Sequence, residues 1–312
     1  MPSSLDPHIL KKMEALVRRG RNMMLEIEAQ TEASIIATYK KTAKRIASRV
    51  SGMGTSVELF GPTYIANEIQ KEIMRLNQIV TTKISHSVDL VIGQSINDQV
   101  ASGRFLFGTA LKGYNPTLLA PESPIFSSMH FEAINAMRTG VDGIELSARI
   151  WNLNQTQLTT MKTYLADAML EGKSAATISQ EIRRFMHLGQ VDMRTKQWKA
   201  FFKKYPPGRG VYKSAAKNAQ RVIRTELHRA YRNAAVQYTK QMPWAQGMQY
   251  VLSSAHPMMD ECDDLASNDP FGLGVGVYTP DAFPDLVHPN CLCYWVAVPY
   301  KNYLDAPTAV VV

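Results

Sequence analysis

The chain has 312 residues, of which 45% are hydrophobic and 20% are charged, and its net charge is +8. This is enough for two or three domains with their own cores, and the composition excludes wholesale disorder. No apolar run approaches the roughly 18 to 20 residues that a membrane-spanning helix needs, so we expect no membrane partner. Three cysteines, all after position 260, exclude a disulfide framework and suit a reducing compartment.

The first hundred residues predict two long helices. Apolar residues recur at helical spacing from His8 to about Val50, and the stretch Ser51-Gly52-Met53-Gly54 then interrupts the pattern. A second helix is expected to follow Gly61-Pro62. Its predicted buried stripe consists of Ile65, Ile69, Ile73, Leu76, Val80, Ile84, Val88, Val91 or Ile92, Ile96 and Val100. We expect these helices to pack on each other or on a neighbouring subunit.

The segment 101–128 contains three glycines and three prolines, and it predicts an extended loop or arm. With the two helices it makes up a predicted N-terminal region, 1–128. The following region, 129–213, predicts short helices that end in a basic linker. Asn154 and Ser174 are its expected N-caps, and Gly172 is an expected helix stop.

Charge is segregated along the second half of the chain. Residues 181–240 hold fifteen Lys and Arg against three Asp and Glu, whereas 241–300 holds seven Asp and Glu and no Lys or Arg. Aromatic side chains alternate with cations in 194–213, a pattern typical of nucleic-acid stacking. The alternative is an ordinary loop with packed aromatics and solvated lysines. The candidate contacts for DNA or a partner are Arg183, Arg184, Lys196, Lys199, Lys203, Lys204 and Arg209.

The last predicted region, 214–312, combines a helix with strands. An amphipathic pattern predicts a helix from about Ser214 to Met242. The cationic residues expected on its surface are Arg221, Arg224, His228, Arg229 and Arg232. Alternating patterns at 247–254 and 292–298 predict two strands, which we expect to pair antiparallel across a Gly- and Pro-rich excursion. The predicted fold is therefore α+β and predominantly helical, with long N-terminal helices, a helical middle region and a small C-terminal helix plus antiparallel strand module.

Cysteine and histidine residues cluster near the ends of the predicted strands. The candidate metal ligands are Cys262, His288, Cys291 and Cys293, with His256, Asp260 and Asp263 in reserve. Thiolate and imidazole ligands together favour zinc, which takes four of them tetrahedrally. Cys291 and Cys293, however, stand two apart on a predicted strand and would point to opposite faces unless the backbone turns there. The alternative is that the cysteines are small buried hydrophobes and that His288 caps a turn before Pro289.

Enzymatic motifs are missing from the sequence. His256, His288 and Cys262 could be drawn as thiol–imidazole pairs, but the chain has no P-loop, GxSxG or HExxH motif. The stretch "GLGVG" (272–276) neither follows a predicted strand nor opens a predicted helix. We therefore expect that the chain is not an enzyme and has no cofactor other than zinc.

Three ordered motifs resemble a known family. They are Arg224-Thr225-Glu226 in "RVIRTELHRAYRNA", Asp260 and Cys262 in "HPMMDECDDLA", and the closing "HPNCLC" from His288 to Cys293. In this order they resemble the C-terminal domain of the phage head morphogenesis family. These are the minor head proteins of tailed bacteriophages, of which the Mu F-type protein is a namesake. The resemblance covers roughly 142–298.

The resemblance implies a structural role. It implies a minor capsid protein in the virion head near the portal vertex, made in the host bacterial cytoplasm. Such a protein would bind the portal protein or the major capsid protein, contact packaged DNA, and influence head assembly, DNA packaging or DNA ejection. The alternatives are a metal-dependent nuclease or toxin-like enzyme carried in the head, and a nucleic-acid-binding module.

The resemblance also implies a structural role for the residues of its motifs. The residues concerned are Arg224, Thr225, Glu226 and Asp260. We expect Arg224 and Glu226 to tether their helix to the strand-loop module. Many family members have a second cysteine three residues after the first in the middle motif. Here Leu265 stands at that position, so a four-ligand site would need His288 to complete it.

Overall fold

A computed structural model describes residues 7–52, 57–110, 173–186, 215–242, 244–256, 259–284 and 288–300, with further scattered positions between 131 and 204. The chain divides into two compact units. The first comprises Met1–Glu28, Ser87–Ile144 and Arg224–Val312, and the second comprises Ala29–His86 and Glu145–Ile223. The predicted region boundaries at 128 and 213 both lie outside the described residues.

The described residues form a mostly helical fold with one small sheet. The helices are α1 (Pro7–Gly52), α2 (Val57–Ala110), α3 (Ala175–Met186), α4 (Ala215–Gln241) and α5 (Glu261–Ser267). The strands are β1 (Ala245–Val251), β2 (Val277–Tyr278) and β3 (Tyr294–Pro299). This confirms the predicted α+β, predominantly helical fold. Within the described ranges, no helix has the length and apolarity needed to cross a membrane.

The periodicity of α2 is confirmed, but its ends are not. Every residue of the predicted stripe between Ile65 and Val100 is buried. The helix begins at Val57, ahead of Gly61-Pro62, and it continues to Ala110 through the first part of the predicted arm. Ser102 is fully buried, and its Oγ binds the carbonyl oxygen of Asp98. Burial of this turn offsets the poor helix propensity of the glycines near it. The stretch 111–128 lies outside the described residues.

The second unit contains a helical hairpin. It consists of α1 from Ala29 onwards and α2 as far as His86. The Arg45 Nε donates to Glu72 Oε2 at 3.0 Å, and the Arg49 guanidinium contacts both Glu72 and Glu68. Glu72 is almost fully buried, so these ion pairs are less screened than surface pairs. The expected packing of the two helices on each other is confirmed in this unit.

The short helix α3 also belongs to the second unit, and it begins where the sequence predicts. The Thr177 backbone N–H donates to Ser174 Oγ at 3.2 Å, which is the hydrogen bond of an N-cap serine. The other predicted punctuation residues, Asn154 and Gly172, lie outside the described residues.

In the first unit, α1, α2 and α4 meet at a buried carboxylate. Asp98 accepts hydrogen bonds from Gln94 Nε2 at 2.8 Å and from the Tyr231 hydroxyl at 3.2 Å. Ser95 Oγ donates to the backbone oxygen of Tyr231 at 2.7 Å. Gly20 of α1 faces the same carboxylate, because a Cβ at this position would overlap the Asp98 side chain. A polar cluster therefore fixes how these three helix segments approach one another.

Asp98 makes the stability of the protein depend on pH. Burial raises the pKa of Asp98 to about 6 from its ordinary 3.8. Between about pH 4 and pH 6 the native state therefore keeps a proton that the unfolded chain has lost, so stability falls as pH rises through this window. The difference in pKa corresponds to about 3 kcal/mol at pH 7. Relative to wild type, Asp98→Asn should gain up to that amount between pH 4 and pH 7 in urea unfolding. Parallel pH profiles of the two proteins would contradict this.

A three-stranded sheet organises the C-terminal part of the first unit. Its strand order is β2-β1-β3, and both pairs are antiparallel. The predicted pairing of β1 with β3 is confirmed, with Tyr250 opposite Trp295. Neither β2 nor α5 was predicted. Gly276 has a φ of +72°, and a Cβ there would lie 2.9 Å from the Ala266 backbone oxygen. A glycine therefore lets the loop before β2 lie directly against α5.

Aromatic side chains fill the core of this C-terminal module. Trp295 lies edge-on to Tyr250 with ring centroids 4.3 Å apart, and Phe283 packs on Trp295 at 3.5 Å. All three cysteines of the chain belong to the same buried cluster. The fold therefore brings the thiols together in a largely apolar interior.

Candidate metal centre

A capping box places Cys262 in the core. Asp260 precedes α5, and its Oδ1 accepts from the Cys262 backbone N–H at 2.8 Å. In return, Asp263 Oδ2 accepts from the Asp260 backbone N–H at 2.8 Å. These reciprocal bonds fix the first turn of the helix. The Cys262 side chain is fully buried as a result.

Cys291 and Cys293 lie just before β3, which begins at Tyr294 rather than at the predicted residue 292. Asn290 has a φ of 65°, a left-handed conformation that turns the backbone into this segment. The two cysteines therefore do not occupy a regular strand with their side chains on opposite faces. Both are buried in the same core cluster as Cys262. Because of this turn, the two-residue spacing of Cys291 and Cys293 does not prevent both side chains from lying in one core.

The donor atoms of the cluster have the spacing of metal ligands. Cys262 Sγ lies 3.6 Å from Cys291 Sγ and 3.3 Å from His288 Nε2. Cys293 Sγ lies 4.0 Å from His256 Nδ1. Around tetrahedral zinc, bond lengths of about 2.3 Å to sulfur and 2.0–2.1 Å to nitrogen separate two sulfurs by about 3.8 Å, and sulfur from nitrogen by about 3.6 Å. The cluster could therefore hold a metal ion.

Both histidines are oriented for ligation. His288 Nδ1 donates to the Pro289 backbone oxygen at 3.0 Å, and its Nε2 lies 3.3 Å from Cys262 Sγ and 3.2 Å from Asp260 Oδ2. His256 Nε2 bonds Asp263 Oδ2 at 2.9 Å, which leaves Nδ1 facing Cys293. Outer partners of this kind fix the ring tautomer in metal sites. The hydrogen bond that His256 donates to the Asp263 carboxylate also raises the pKa of His256.

The thiols have unequal acidity. Burial raises the pKa of Cys262 to about 12, and the Tyr250 hydroxyl donates to its Sγ at 2.9 Å. A hydrogen bond with Cys293 and the positive charge of Arg232 lower the pKa of Cys291. A divalent cation must therefore displace the proton of the Cys262 thiol to bind that sulfur. Its affinity is expected to weaken as pH falls.

Two helices hold the Cys-x-Cys backbone. Arg232 of α4 donates through Nη2 to the Cys291 oxygen at 3.1 Å. Arg21 of α1 donates through Nη2 to the Leu292 oxygen at 3.1 Å and to Ser253 Oγ at 2.9 Å. Sequence reasoning missed Arg21, Ser253 and Tyr250, because nothing in the local pattern links them to the cysteines.

The prediction that His228, Arg229 and Arg232 lie on the surface of α4 was wrong. All three are buried. His228 Nε2 lies 2.9 Å from Glu28 of α1, and Arg232 binds the Cys291 backbone. Distant parts of the chain thus supply hydrogen-bond partners for polar side chains that the helical pattern alone would place in solvent.

The Arg-Thr-Glu motif reaches the Cys/His loop through its middle residue. Thr225 Oγ1 accepts from the Asn290 backbone N–H at 3.3 Å. Arg224 instead contacts α1, with its Nε 2.6 Å from Glu28 Oε1. Glu226 is buried. Thr225 therefore links α4 to the strand-loop module.

The predicted basic contact residues are described only in part. Lys199, Lys203 and Lys204 are exposed, and the Lys204 Nζ binds Glu171 at 2.9 Å and Asp167 at 3.2 Å. The structure does not describe Lys196, Arg209 or the side chains of Arg183 and Arg184. Contact with DNA through these residues stays a prediction.

The chain therefore contains a buried Cys/His cluster whose donors come from the loop after β1, from α5 and from the approach to β3. The motif residues Thr225, Asp260 and His288 contact this cluster or the loop that carries it. Comparison of the chain with protein-family models, with curated proteins and with solved structures finds no match.

Proposed function

We propose that this chain is a minor capsid protein of a tailed phage. It binds the portal protein or the major capsid protein inside the head, and it assists head assembly, DNA packaging or DNA ejection. One observation carries the proposal. Three separated sequence elements that resemble the head morphogenesis family converge on one closed Cys/His cluster, through the contacts of Thr225 with Asn290 and of Cys262 with His288 and Cys291.

The metal of this cluster is proposed to be zinc, held by Cys262, Cys291, Cys293 and His288. His288 is preferred to His256 because it belongs to the closing His-Pro-x-Cys-x-Cys motif of the resemblance. The donor atoms form two overlapping groups, Cys262 with His288 and Cys291, and Cys262 with His256 and Cys293, so Cys293 would have to move towards the first group to complete the shell. Four protein ligands fill a tetrahedral zinc shell, which is the arrangement of structural rather than catalytic sites. The zinc would join α5, the His288 loop and the start of β3.

The closed site supports an assembly role. The three thiols are at most 2% exposed, whereas the His288 side chain is 34% exposed, so a metal bound by them would be open to solvent only on the His288 side. The long helices offer extended surfaces instead, and large apolar side chains such as Met23, Met74 and Leu90 are exposed on them. Exposed apolar residues together with a net charge of +8 suit contacts with head proteins and with packaged DNA.

Metal analysis tests the zinc proposal. Protein purified without chelator should contain about one equivalent of zinc. His288→Ala should lose most of it, whereas His256→Ala, which removes an outer group, should retain it. Less than about 0.2 equivalents in wild type, with unchanged stability after chelation, would rule out a structural site.

Deletion of the gene tests the role in the head. Phage without the chain should form shells of normal shape that contain little DNA or fail to infect. Complementation with wild type should restore infectivity, and complementation with a Cys262→Ser, Cys291→Ser double variant should restore little. Full infectivity of the deletion phage would refute the proposal.

A second candidate, a metal-dependent nuclease, has one observation in its favour. His256, Asp260 and Asp263 are partly exposed, and their donor atoms also lie close enough together for a metal ion. Carboxylate ligands suit Mg²⁺ or Mn²⁺, the ions of many nucleases. Incubation of the protein with DNA and either ion should give no cleavage. Cleavage that disappears in Asp263→Asn would replace the assembly proposal with this one.

A further inference from the structure

Two thiols of the cluster are in contact. Cys262 Sγ lies 3.6 Å from Cys291 Sγ, although 29 positions of the chain separate the two residues. Both cysteines are free and buried. The Tyr250 hydroxyl lies at the same pair, 2.9 Å from Cys262 Sγ and 3.6 Å from Cys291 Sγ. The two sulfurs and this hydroxyl therefore meet at one point of the core.

Hydrogen bonds fix the backbone around each of these thiols. The Cys262 N–H donates to Asp260 Oδ1 at 2.8 Å. The Cys291 oxygen accepts from Arg232 at 3.1 Å, and the Cys291 N–H donates to the His288 oxygen at 3.3 Å. Sulfurs that are held in contact can bond through side-chain rotation, whereas sulfurs that lie farther apart need backbone movement. The arrangement therefore suits a disulfide as well as a metal ion.

A small oxidant can approach this pair from the side of His288. The Cys262 and Cys291 side chains are 0% and 2% exposed. The His288 side chain, however, is 34% exposed, and its Nε2 lies 3.3 Å from Cys262 Sγ. A peroxide is close to water in size, whereas a disulfide reagent such as oxidised glutathione is far larger. The pair is therefore accessible to peroxide and shielded from thiol–disulfide exchange.

We propose that Cys262 and Cys291 form a reversible disulfide under peroxide, and that this disulfide and zinc exclude each other. One thiol sulfur attacks the peroxide, the O–O bond breaks, and a sulfenic acid and a water molecule form. The other thiol sulfur then attacks the sulfenic sulfur. The S–S bond forms, the S–O bond breaks, and the hydroxyl leaves with the thiol proton as a second water. The sulfurs together lose the two electrons that the peroxide gains.

The disulfide would replace the metal as the link between α5 and the approach to β3. Zinc binds thiolates, so a pair that has become a disulfide releases the ion. The exclusion of zinc rests on the proposed metal site, and the proposed function supplies the setting. Released virions leave the reducing cytoplasm for surroundings in which disulfides persist.

Peroxide treatment of the folded, full-length chain tests the pairing. Hydrogen peroxide is the probe, a metal-sensitive dye follows zinc release, and peptide mapping after alkylation of free thiols identifies the linked cysteines. The Cys262–Cys291 linkage should exceed the other two pairings by about tenfold or more, because its sulfurs are already in contact. Zinc release should accompany the linkage, and dithiothreitol should reverse it. Oxidised glutathione should react at least about tenfold more slowly, because exchange requires access to the thiol.

Two controls show whether the fold selects the pair. In urea, Cys262 should link to Cys291 and to Cys293 about equally, because the two loops have nearly the same length. Folded Cys293→Ser should form the Cys262–Cys291 linkage as wild type does. If this variant does not fold, the ratio of the pairings in folded and in urea-treated wild type decides. Oxidation to sulfinic or sulfonic acids without a linkage, or a main linkage that contains Cys293, would overturn the proposal.

The inference and the metal proposal fail in different ways. If wild type contains no zinc but forms the Cys262–Cys291 linkage, the metal proposal is refuted and the disulfide stands. If wild type contains zinc and peroxide produces no such linkage, the metal site stands and the disulfide is refuted.

Discussion

Removal of the proposed zinc should unfold the C-terminal module of the first unit, and Cys291→Ser should have the same effect. The cysteines form part of its core with Tyr250 and Trp295, and the chain has no disulfide in this region. Without the metal, α5 and the approach to β3 are joined only by packing and hydrogen bonds. Structural zinc contributes a large share of the folding free energy of small modules. We expect the melting temperature to fall by at least about 10 °C, which corresponds to several kcal/mol for a domain of ordinary size.

Chelator titration followed by circular dichroism measures this effect. Restoring zinc should restore the original melting temperature of wild type, and chelator should have no further effect on Cys291→Ser. Met248→Leu is the matched control, because Met248 is buried in the same core but offers no strong metal ligand. It should keep the full response to chelator. A wild type that melts at the same temperature with and without chelator would exclude a structural metal.

Gly20→Ala should destabilise the first unit by about 2 to 4 kcal/mol. Alanine alone would improve a helix by about 1 kcal/mol. At Gly20, however, the new methyl group would overlap the Asp98 carboxylate, which is held by Tyr231 and Gln94. Either the helices separate or Asp98 loses its hydrogen bonds, and overpacking of this kind costs about 1 to 3 kcal/mol before the lost bonds are added. Urea unfolding gives the change in free energy directly.

Gly52→Ala is the matched control for this prediction. Gly52 ends the same helix, and a Cβ there meets nothing within 4 Å. Its substitution should be neutral or stabilise by up to about 1 kcal/mol. Combining Gly20→Ala with Asp98→Ala removes the overlap, so the double variant should be no less stable than Asp98→Ala alone. If the losses in unfolding free energy are additive in the double variant, the overlap between residue 20 and Asp98 is not the cause of the Gly20→Ala loss.

The long helices were predictable because their buried residues recur at the period of an α-helix. From Ile65 to Val100 each predicted position of α2 is buried. The ends of α2 were not predictable, because Ser102 is buried by tertiary packing that overrides the glycine signals near it. The capping box at Asp260 and Asp263 is a local signal that could have revealed α5. The two-residue strand β2 has no such signal, because its pairing depends on the glycine turn before it.

The sequence could predict which cysteines and which histidine lie near one another, but not what surrounds them. Cysteine and histidine chemistry identified Cys262, His288, Cys291 and Cys293, and the structure places them in or beside one core. The turn at Asn290 could not be foreseen from a strand pattern. The arginines could not be foreseen either. Arg21 contacts Leu292 across 271 positions of the chain, and no local sequence pattern indicates so distant a contact.

The position of the chain in an intact particle tests the central claim most directly. The proposed function predicts that purified, DNA-filled phage heads contain the chain after extensive washing, and that a tag on the chain locates it at the portal vertex. The claim predicts that Cys262→Ser, Cys291→Ser double-variant protein is depleted from those heads. Wild-type chain that is absent from washed heads and present only in the surrounding lysate would contradict the claim.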